Sequence, residues 1–494
     1  MSVKRILILD IDGLRRDVFE QCLNDPGQPA LQALVGDAEQ RLSFDPLSTA
    51  PSITFCAQSS MFTGRHPADH GVIGNQFFDR FGRYEKRGPK FYAFDVGDLL
   101  AVEDALRIYQ FEDGLLGRIY PAGVTTLHEH VRARGKRSVT VHHMVGRGAD
   151  VWVKPDLLTI ARAVKGGGLF GIEPSVFDSE MTDKAIALLN AGDRPDVLTL
   201  YFLGLDQHSH HNGPAQQLSY MRECVEPALA RLLNALQVLG LLEGTLTVVA
   251  SDHGQIATPS DTRHSLRLSF PFDRELAHVF DSLGLDVHDY PGETPDCDAV
   301  VGSNGALAYV YLRRPGRPWA ETPRFESEVT RVGKAFWEAH HTGAHSQDLQ
   351  GTLSAVLVRN TEQAGWAAPY QALGPDGALT SLETALAGEE GRSLAQAARR
   401  LRASQTDVSP DLILMSNYVD GFYFSPPLLG MHGGLHPEDS RATLTFGFGR
   451  GAGAAEPAVV LGAVRQAIES RSRAEGREVS VADLTVGVLA ALDA

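Results

Sequence analysis

Short apolar runs alternate with helix-like segments through the first half of the chain. Predicted buried strands cover residues 3–9, 138–144, 196–202 and 245–250. Apolar residues at helical spacing separate them, most clearly in residues 216–239, where Leu229, Leu232 and Leu236 share one face. This alternation is typical of a mostly parallel central sheet with helices on both faces. We therefore expect an α/β core, with residues 1–255 as its first part.

The pattern loosens between residues 256 and 425. Strand candidates there cover residues 307–312, 353–358 and 412–416, and helix candidates cover 326–340 and 394–402. We interpret this stretch as an α+β cap inserted into the core, where it would form one wall of a cleft and select the substrate. A strand at 442–448 and a helix at 479–492 indicate that residues 426–494 return to the core. The aromatic and charged segment at 77–92 is predicted to be a surface excursion.

The composition is that of an ordinary globular protein, and it argues against two classes of function. The chain of 494 residues has a net charge of −16, whereas proteins that bind a nucleic-acid polymer usually present basic surfaces. It contains no run of 18 apolar residues, so we expect no membrane span. The first apolar run meets Asp10 too early for a signal peptide, and a cytoplasmic location is predicted. The sequence does not indicate an oligomeric state.

Three of the predicted strands end in an aspartate, namely Asp12, Asp206 and Asp252. Taken singly, each is more often a turn or cap residue, but ligands of open α/β sheets collect at the carboxyl ends of the strands. Two of the acids have histidines beside them, in DQHSHH at 206–211 and in His253. Mixed aspartate and histidine ligands at a hydrolytic site suit zinc, with manganese or iron as alternatives. Bound cations would also relieve the repulsion among the carboxylates.

A hydroxyl residue, Thr54, stands where a loop rich in Ser, Thr and Pro gives way to a helix-like run. The run covers residues 55–62, and Gly64 is placed to end it. Free backbone N–H groups at a helix N-terminus suit a phosphate or sulfate. From these local features alone, the commoner interpretation of Thr54 is that of an N-cap.

Five motifs resemble the alkaline phosphatase superfamily, and within it the nucleotide pyrophosphatase/phosphodiesterase and phosphonoacetate hydrolase branches. They are DIDG at 10–13, TF followed by TGRHPADHGVIGN at 54–75, DQHSHHNGP at 206–214, SDHG at 251–254 and HGG at 432–434. The resemblance implies two divalent metal ions, one held by Asp12, Thr54, Asp252 and His253, and the other by Asp206, His210 and His432. It further implies that Thr54 attacks phosphorus and forms a phosphothreonine intermediate.

Family spacing identifies the nucleophile, which precedes the Thr of the TG pair by nine residues, and 63 − 9 = 54. The related sulfatases carry a modifiable cysteine at that position, whereas the cysteine of this chain comes two places later, at Cys56. Asn75 stands 21 residues after Thr54, where phosphodiesterase-like relatives place an asparagine that contacts a phosphoryl oxygen. Phe55 is either a stacking platform for a nucleotide base, as in nucleotide-hydrolysing relatives, or a core aromatic.

Together these features predict a two-metal hydrolase that acts on a small anionic phosphodiester or pyrophosphate, with nucleotides among the candidates. A C–P hydrolase of the phosphonoacetate type would share the ligand set, but its carboxylate substrate would favour lysines, which are few here. A non-catalytic metal-bound scaffold would be expected to lack Thr54 or a ligand, and none is missing. Arg313, Arg314 and Arg317 either meet a second anionic group or, more commonly for such residues, lie on a solvated loop.

Overall fold

The central element of the fold is a seven-stranded sheet. A computed structural model describes residues 3–85, 88–94, 106–156, 174–267, 275–289, 292–294, 296–387, 396–450 and 457–494. The strands of the central sheet are β1 (Arg5–Ile11), β2 (Arg41–Phe44), β5 (Ser138–Val141), β6 (Val151–Val153), β7 (Val197–Phe202), β8 (Thr245–Ala250) and β19 (Leu444–Phe448), in the order β2-β19-β8-β1-β7-β5-β6. Strands β8, β1, β7, β5 and β6 run parallel, whereas β19 is antiparallel to both β8 and β2. The predicted mostly parallel sheet is confirmed.

Helices cover both faces of this sheet because successive apolar residues of β1 point to opposite sides. Ile6 and Ile8 belong to a core with Phe62, whereas Leu7 belongs to a core with Phe19. The described α-helices of this part are Arg16–Cys22, Pro29–Val35, Thr54–Thr63, Pro67–His70, Gly114–Ile119, Leu127–Ala133, Pro174–Asn190, Gly204–Asn212, Gln217–Tyr220, Glu226–Val238, Pro437–Ser440, Pro457–Ala474 and Asp483–Asp493, and a π-helical turn, Met221–Val225, joins two of them. Within the described ranges, no helix is both long enough and apolar enough to cross a membrane.

A second seven-stranded sheet is built between residues 287 and 416. Its strands are β10 (Val287–His288), β12 (Ala299–Asn304), β13 (Leu307–Leu312), β14 (Leu353–Arg359), β15 (Tyr370–Leu373), β16 (Leu379–Ser381) and β17 (Leu412–Ser416), in the order β10-β12-β13-β17-β14-β15-β16. All neighbours pair antiparallel except β10 and β12. The accompanying helices are Glu275–Ser282, Arg331–Thr342, Thr361–Ala364, Leu382–Ala387 and Ala397–Ala403. The domain boundaries at 255 and 425 stay predictions.

The segment at residues 77–92 is not a surface excursion, and that prediction is wrong for its described part. Strands β3 (Gln76–Asp79) and β4 (Lys90–Ala93) form an antiparallel pair, to which β11 (Gly292–Glu293) adds. Phe77, Phe78 and Phe91 are fully buried. Phe78 meets Trp319 edge-on, with ring centroids 4.7 Å apart. Phe78 therefore packs against Tyr311 of the second sheet and against Trp319, which lies in the connection after β13.

A two-stranded ribbon brings the last expected ligand to the central sheet. Strand β9 (Ile256–Ala257) pairs antiparallel with β18 (Gly430–Met431), directly before His432. Gly430 lies against the helix Gly204–Asn212, since a Cβ there would stand 2.5 Å from the carbonyl oxygen of Ser209. The ribbon thereby places His432 beside the residues that follow β7.

Candidate active site

The carboxyl ends of β1, β7 and β8 lie side by side and bring the three aspartates together. Asp12 follows β1, Asp252 stands two residues beyond β8, and Asp206 lies in the first turn of the helix after β7. The backbone N–H of Gly13 donates to Asp252 Oδ1 at 3.1 Å. A Cβ at Gly13 would lie 2.8 Å from Asp206 Oδ1, and the φ of +67° also favours glycine. The DIDG turn therefore depends on Gly13 to let two acids approach each other.

One group of candidate metal ligands surrounds the Nε2 atom of His253. This atom lies 3.4 Å from Asp12 Oδ1 and 3.4 Å from Asp252 Oδ2. Thr54 Oγ1 lies 3.2 Å from the same nitrogen. Asp12 Oδ1 and Asp252 Oδ2 are buried and have no hydrogen-bond partner among the described residues. The four residues expected to hold the first metal therefore converge on one point.

A second group is formed by Asp206, His210 and His432. His210 Nε2 lies 3.3 Å from Asp206 Oδ2, and His432 Nε2 lies 3.8 Å from Asp206 Oδ1. The Nε2 atoms of the two histidines are 3.2 Å apart. The ring of His253 stacks on that of His432 at 3.7 Å between centroids, and Asp206, His253 and His432 also form a candidate ligand set. His253 therefore stands between the two groups, whereas the sequence assigned it to the first alone.

All three histidines present an Nε2 lone pair to the acids. The Nδ1 atoms of His210, His253 and His432 lie 2.7, 2.9 and 2.9 Å from the backbone carbonyl oxygens of Gly430, Gly254 and Ser52, respectively. A carbonyl only accepts, so each Nδ1 carries the proton and each Nε2 is free to bind a cation. Histidine ligands of metals are usually oriented by such a hydrogen bond.

The buried charges of the site also fit divalent cations. Burial raises the pKa of Asp12 well above its usual range, and the neighbouring Asp252 and Asp206 raise it further. Burial, followed by the charge of Asp10, raises the pKa of Asp252 to about 7. Such carboxyls resist ionisation unless positive charge lies beside them, and a bound metal supplies that charge. The orphaned oxygens, the free Nε2 atoms and the clustered acids match the donor set expected for zinc, manganese or iron.

Thr54 is the first residue of the helix Thr54–Thr63, and the N-cap position belongs to Ile53. The interpretation of Thr54 as an N-cap is therefore wrong, because its hydroxyl faces His253 instead of capping the helix. Gly64 ends the helix in the left-handed conformation, as expected. Cys56 is fully buried, and burial raises the pKa of its thiol to about 12. Only Thr54 of this pair faces the candidate ligands.

Asn75 lies at the N-terminus of the same helix. Its Oδ1 accepts the backbone N–H of Phe55 at 3.0 Å. This hydrogen bond distinguishes the oxygen of the side-chain amide from its nitrogen, Nδ2. No described residue hydrogen-bonds with that Nδ2. The Asn75 side chain thus has a donor available beside Thr54, as the contact with a phosphoryl oxygen would require.

Phe55 is partly buried and packs against Phe94, with ring centroids 5.2 Å apart. This contact suits either a core aromatic or the wall of a base-binding slot, so both interpretations stay open.

In the second sheet region, Arg313 and Arg317 form ion pairs with acidic neighbours. The pairing favours the interpretation of these arginines as part of a solvated surface.

Several residues that support the site were missed at the level of sequence. Tyr201 donates its hydroxyl to Asp12 Oδ2, and Gln255 donates its amide to Asp206 Oδ1. His143, expected to be an ordinary residue, is buried with its Nε2 3.1 Å from Asp10 Oδ2. A tyrosine near the end of an apolar strand and a glutamine directly after the SDHG motif were the available signals. A fourth supporting residue, Asn304, hydrogen-bonds with the backbone of Asn75, and no local sequence pattern indicated it.

Comparisons with known proteins bear on the family and the fold. The family model for type I phosphodiesterase / nucleotide pyrophosphatase matches residues 6–350. No curated protein sequence matches. The fold is similar to that of murine ectonucleotide pyrophosphatase / phosphodiesterase 5, with a TM-score of 0.52 and 15% identity over 89% of this chain and 87% of that one. An inactive form of the murine protein in complex with AMP and the human protein each give a TM-score of 0.52 and 14% identity over 90% of this chain and 87% of theirs.

Proposed function

Since the chain belongs to the type I phosphodiesterase / nucleotide pyrophosphatase family and is a hydrolase, we propose that it cleaves small phosphodiesters or pyrophosphates with two metal ions and Thr54 as nucleophile. The observation that carries the proposal is the position of Thr54 Oγ1, 3.2 Å from His253 Nε2 and beside two buried carboxylate oxygens that have no hydrogen-bond partner in the described part of the chain. In that position, the Thr54 hydroxyl, His253 Nε2 and the two carboxylate oxygens would all bind the same metal ion.

We assign one metal to Asp12, Thr54, Asp252 and His253, and the other to Asp206, His210 and His432, with His253 between the two groups. Zinc is the first candidate, and manganese or iron are alternatives. A bound metal supplies Lewis acidity, which lowers the pKa of bound water from 15.7 to about 7 in favourable cases and acts on a bound hydroxyl in the same sense.

The residues of the chain would then perform two displacements. In the first, the Oγ1 atom of Thr54 bonds to phosphorus, the bond from phosphorus to the leaving oxygen breaks, and the hydroxyl proton ends on the departing alcohol or phosphate. In the second, water breaks the Thr54–phosphorus ester and restores the hydroxyl. Asn75 Nδ2 would donate to a non-bridging oxygen, a contact worth about 3 kcal/mol in the transition state by comparison with single oxyanion donors.

A nucleotide is the first substrate class to test, since an inactive form of the similar murine protein is in complex with AMP. Phe55, at the entrance to the nucleophile helix, is the candidate contact for a base. The second sheet is the candidate determinant of substrate specificity, because the hairpin formed by β12 and β13 lies against the segment of His432. A cytoplasmic location stays a prediction from the sequence.

The proposal is tested with purified protein loaded with zinc or manganese. We expect turnover of bis-p-nitrophenyl phosphate and of the p-nitrophenyl ester of thymidine 5′-monophosphate to exceed that of p-nitrophenyl phosphate and of phosphonoacetate. Thr54→Ala should abolish turnover while metal content stays at two equivalents, and Thr54→Ser should retain part of it. Full activity of Thr54→Ala, or a clear preference for the monoester or the phosphonate, would contradict the proposal.

A further inference from the structure

Asn304 ends β12 at the tip of the β12–β13 hairpin, where the second sheet meets the segment that carries Asn75. Its side chain is fully buried. Its Oδ1 accepts the backbone N–H groups of Asn75 and Gln76 at 2.8 and 3.1 Å, and its Nδ2 donates to the carbonyl oxygen of Gln76 at 2.8 Å. The backbone N–H of Ser303 donates to Gln76 Oε1 at 2.8 Å. The amide of Asn304 therefore binds the backbone of Asn75 and its neighbour in one orientation.

Close packing leaves this turn little freedom to shift. A Cβ at Gly74 would lie 2.4 Å from Asn304 Oδ1. On the other side, a Cβ at Gly305 would lie 1.9 Å from the carbonyl oxygen of His432. Side chains at either glycine would force the segments apart. The tip of the hairpin is thus held between the segment of Asn75 and that of a candidate metal ligand.

We propose that Asn304 is a positioning residue, which fixes the backbone of Asn75 so that Asn75 Nδ2 points at a non-bridging oxygen of the substrate. This inference rests on the proposed function, because it assumes that Asn75 donates to the phosphoryl group. Three hydrogen bonds hold Asn75. Its Oδ1 accepts the N–H of Phe55, its carbonyl oxygen accepts the N–H of Phe94 at 2.9 Å, and its own N–H donates to Asn304. Loss of the hydrogen bond to Asn304 would let Asn75 Nδ2 move away from its acceptor.

The effect of Asn304 should therefore appear in turnover and depend on Asn75. With bis-p-nitrophenyl phosphate, we expect Asn304→Ala to lower kcat about 10- to 100-fold, since a misplaced group costs on that order, and to change KM less. Metal content should stay at two equivalents. Ser303→Ala is the matched control, because the hydroxyl of Ser303 makes no hydrogen bond among the described residues, and its kcat should stay within about twofold.

A double-mutant cycle with Asn75→Ala separates positioning from a general loss of structure. If Asn304 acts through Asn75, then adding Asn304→Ala to Asn75→Ala should change kcat by less than about twofold. Multiplicative losses, loss of metal or an unchanged kcat in Asn304→Ala would each overturn the inference. If Asn304→Ala does not fold, Asn304→Leu, which keeps the branched shape but has no acceptor for the N–H of Asn75, enters the same cycle under the same criterion. Full turnover of Asn75→Ala alone would instead contradict the donor role assigned under the proposed function.

Discussion

The Nε2 atoms of His210 and His432 face each other at 3.2 Å, while the Nδ1–H group of each ring donates to a backbone carbonyl. Burial lowers the pKa of His432 to about 3, with the nearby His253 adding to the effect. Burial also acts to lower the pKa of His210, but the charge of Asp206 and a hydrogen bond to it raise that pKa above its ordinary value. The facing nitrogens and Asp206 therefore favour a positive charge between them, which a proton on His210 or a bound cation supplies, so the arrangement is that of a candidate metal site.

We expect the purified protein to contain two equivalents of divalent metal, and His210→Ala to lose at least one of them. The change removes an Nε2 donor that lies beside Asp206. His211→Ala is the matched control, since His211 is on the same helix and exposed. Elemental analysis after gel filtration measures the content. Equal metal in the two variants would contradict the assignment of His210.

Tyr201→Phe should weaken metal binding without removing a ligand. The hydroxyl of Tyr201 donates to Asp12 Oδ2 and orients that carboxylate. Loss of a hydrogen bond that orients a ligand typically costs about 10- to 100-fold in metal affinity. Tyr309→Phe removes a buried hydroxyl that bonds to the carbonyl oxygen of Ile73 instead, and it should leave the affinity unchanged. Competition with a chromophoric chelator measures both. The same affinity for the two variants would refute a role for Tyr201.

His70 is expected to make the fold sensitive to acid. Its Nδ1 accepts the N–H of Val72, its Nε2 bonds Ser60, and burial, with the nearby His66, lowers its pKa to about 3. The unfolded chain takes up this proton near pH 6.5 but the folded chain does not, so stability falls as the pH falls below 6.5. At pH 5.5 the wild type should have lost about 1.4 kcal/mol through this group relative to pH 8.

His70→Asn keeps an acceptor for Val72 but cannot titrate. Urea unfolding of both proteins without metal, at pH 8 and pH 5.5, isolates the effect as the difference between the two pH-dependent losses. Parallel losses in the two proteins would show that His70 takes up its proton equally in both states.

Removing one partner of the buried ion pair of Arg80 and Asp411 should strongly destabilise the packing of the second sheet against the segment of Arg80. Both side chains are inaccessible, and two nitrogens of Arg80 lie 3.0 and 3.4 Å from the carboxylate. Arg80→Met would leave the charge of Asp411 buried and unpaired, which costs about 3–5 kcal/mol. Arg83→Met breaks the nearby exposed pair with Asp407 and should cost less than about 1 kcal/mol. Chemical denaturation compares the two, and similar losses would contradict the argument.

The aspartates of the site were predictable from sequence because their positions follow from the periodicity of the chain. Parallel strands place their carboxyl ends at one edge, so Asp12, Asp206 and Asp252 had to meet once β1, β7 and β8 were neighbours. His210 was indicated by the family spacing of four residues after Asp206, which the structure shows to be one turn of the helix Gly204–Asn212. His432 had no such local argument, and only the HGG motif indicated it.

Residues that reach the site from distant elements were not predictable. Asn304 hydrogen-bonds with the segment of Asn75, 229 residues away in sequence. This contact depends on the packing of β12 against β3, which no local sequence pattern indicates. Phe78 is buried against Tyr311 and Trp319, which are similarly distant in sequence, and without that contact its segment looked like an exposed loop. The orientation of β19 was also open, because a short apolar strand carries no mark of its direction.

The position of β19 has a consequence for synthesis on the ribosome. This strand lies between β8 and β2, yet it is made almost 200 residues after β8, since it spans Leu444–Phe448 and β8 ends at Ala250. Until it emerges, a nascent chain presents β8 and β2 as two unpaired strand edges, which are templates for association with other chains. The second sheet is translated during this interval. The growing protein therefore has to complete an entire inserted sheet while its first one remains open.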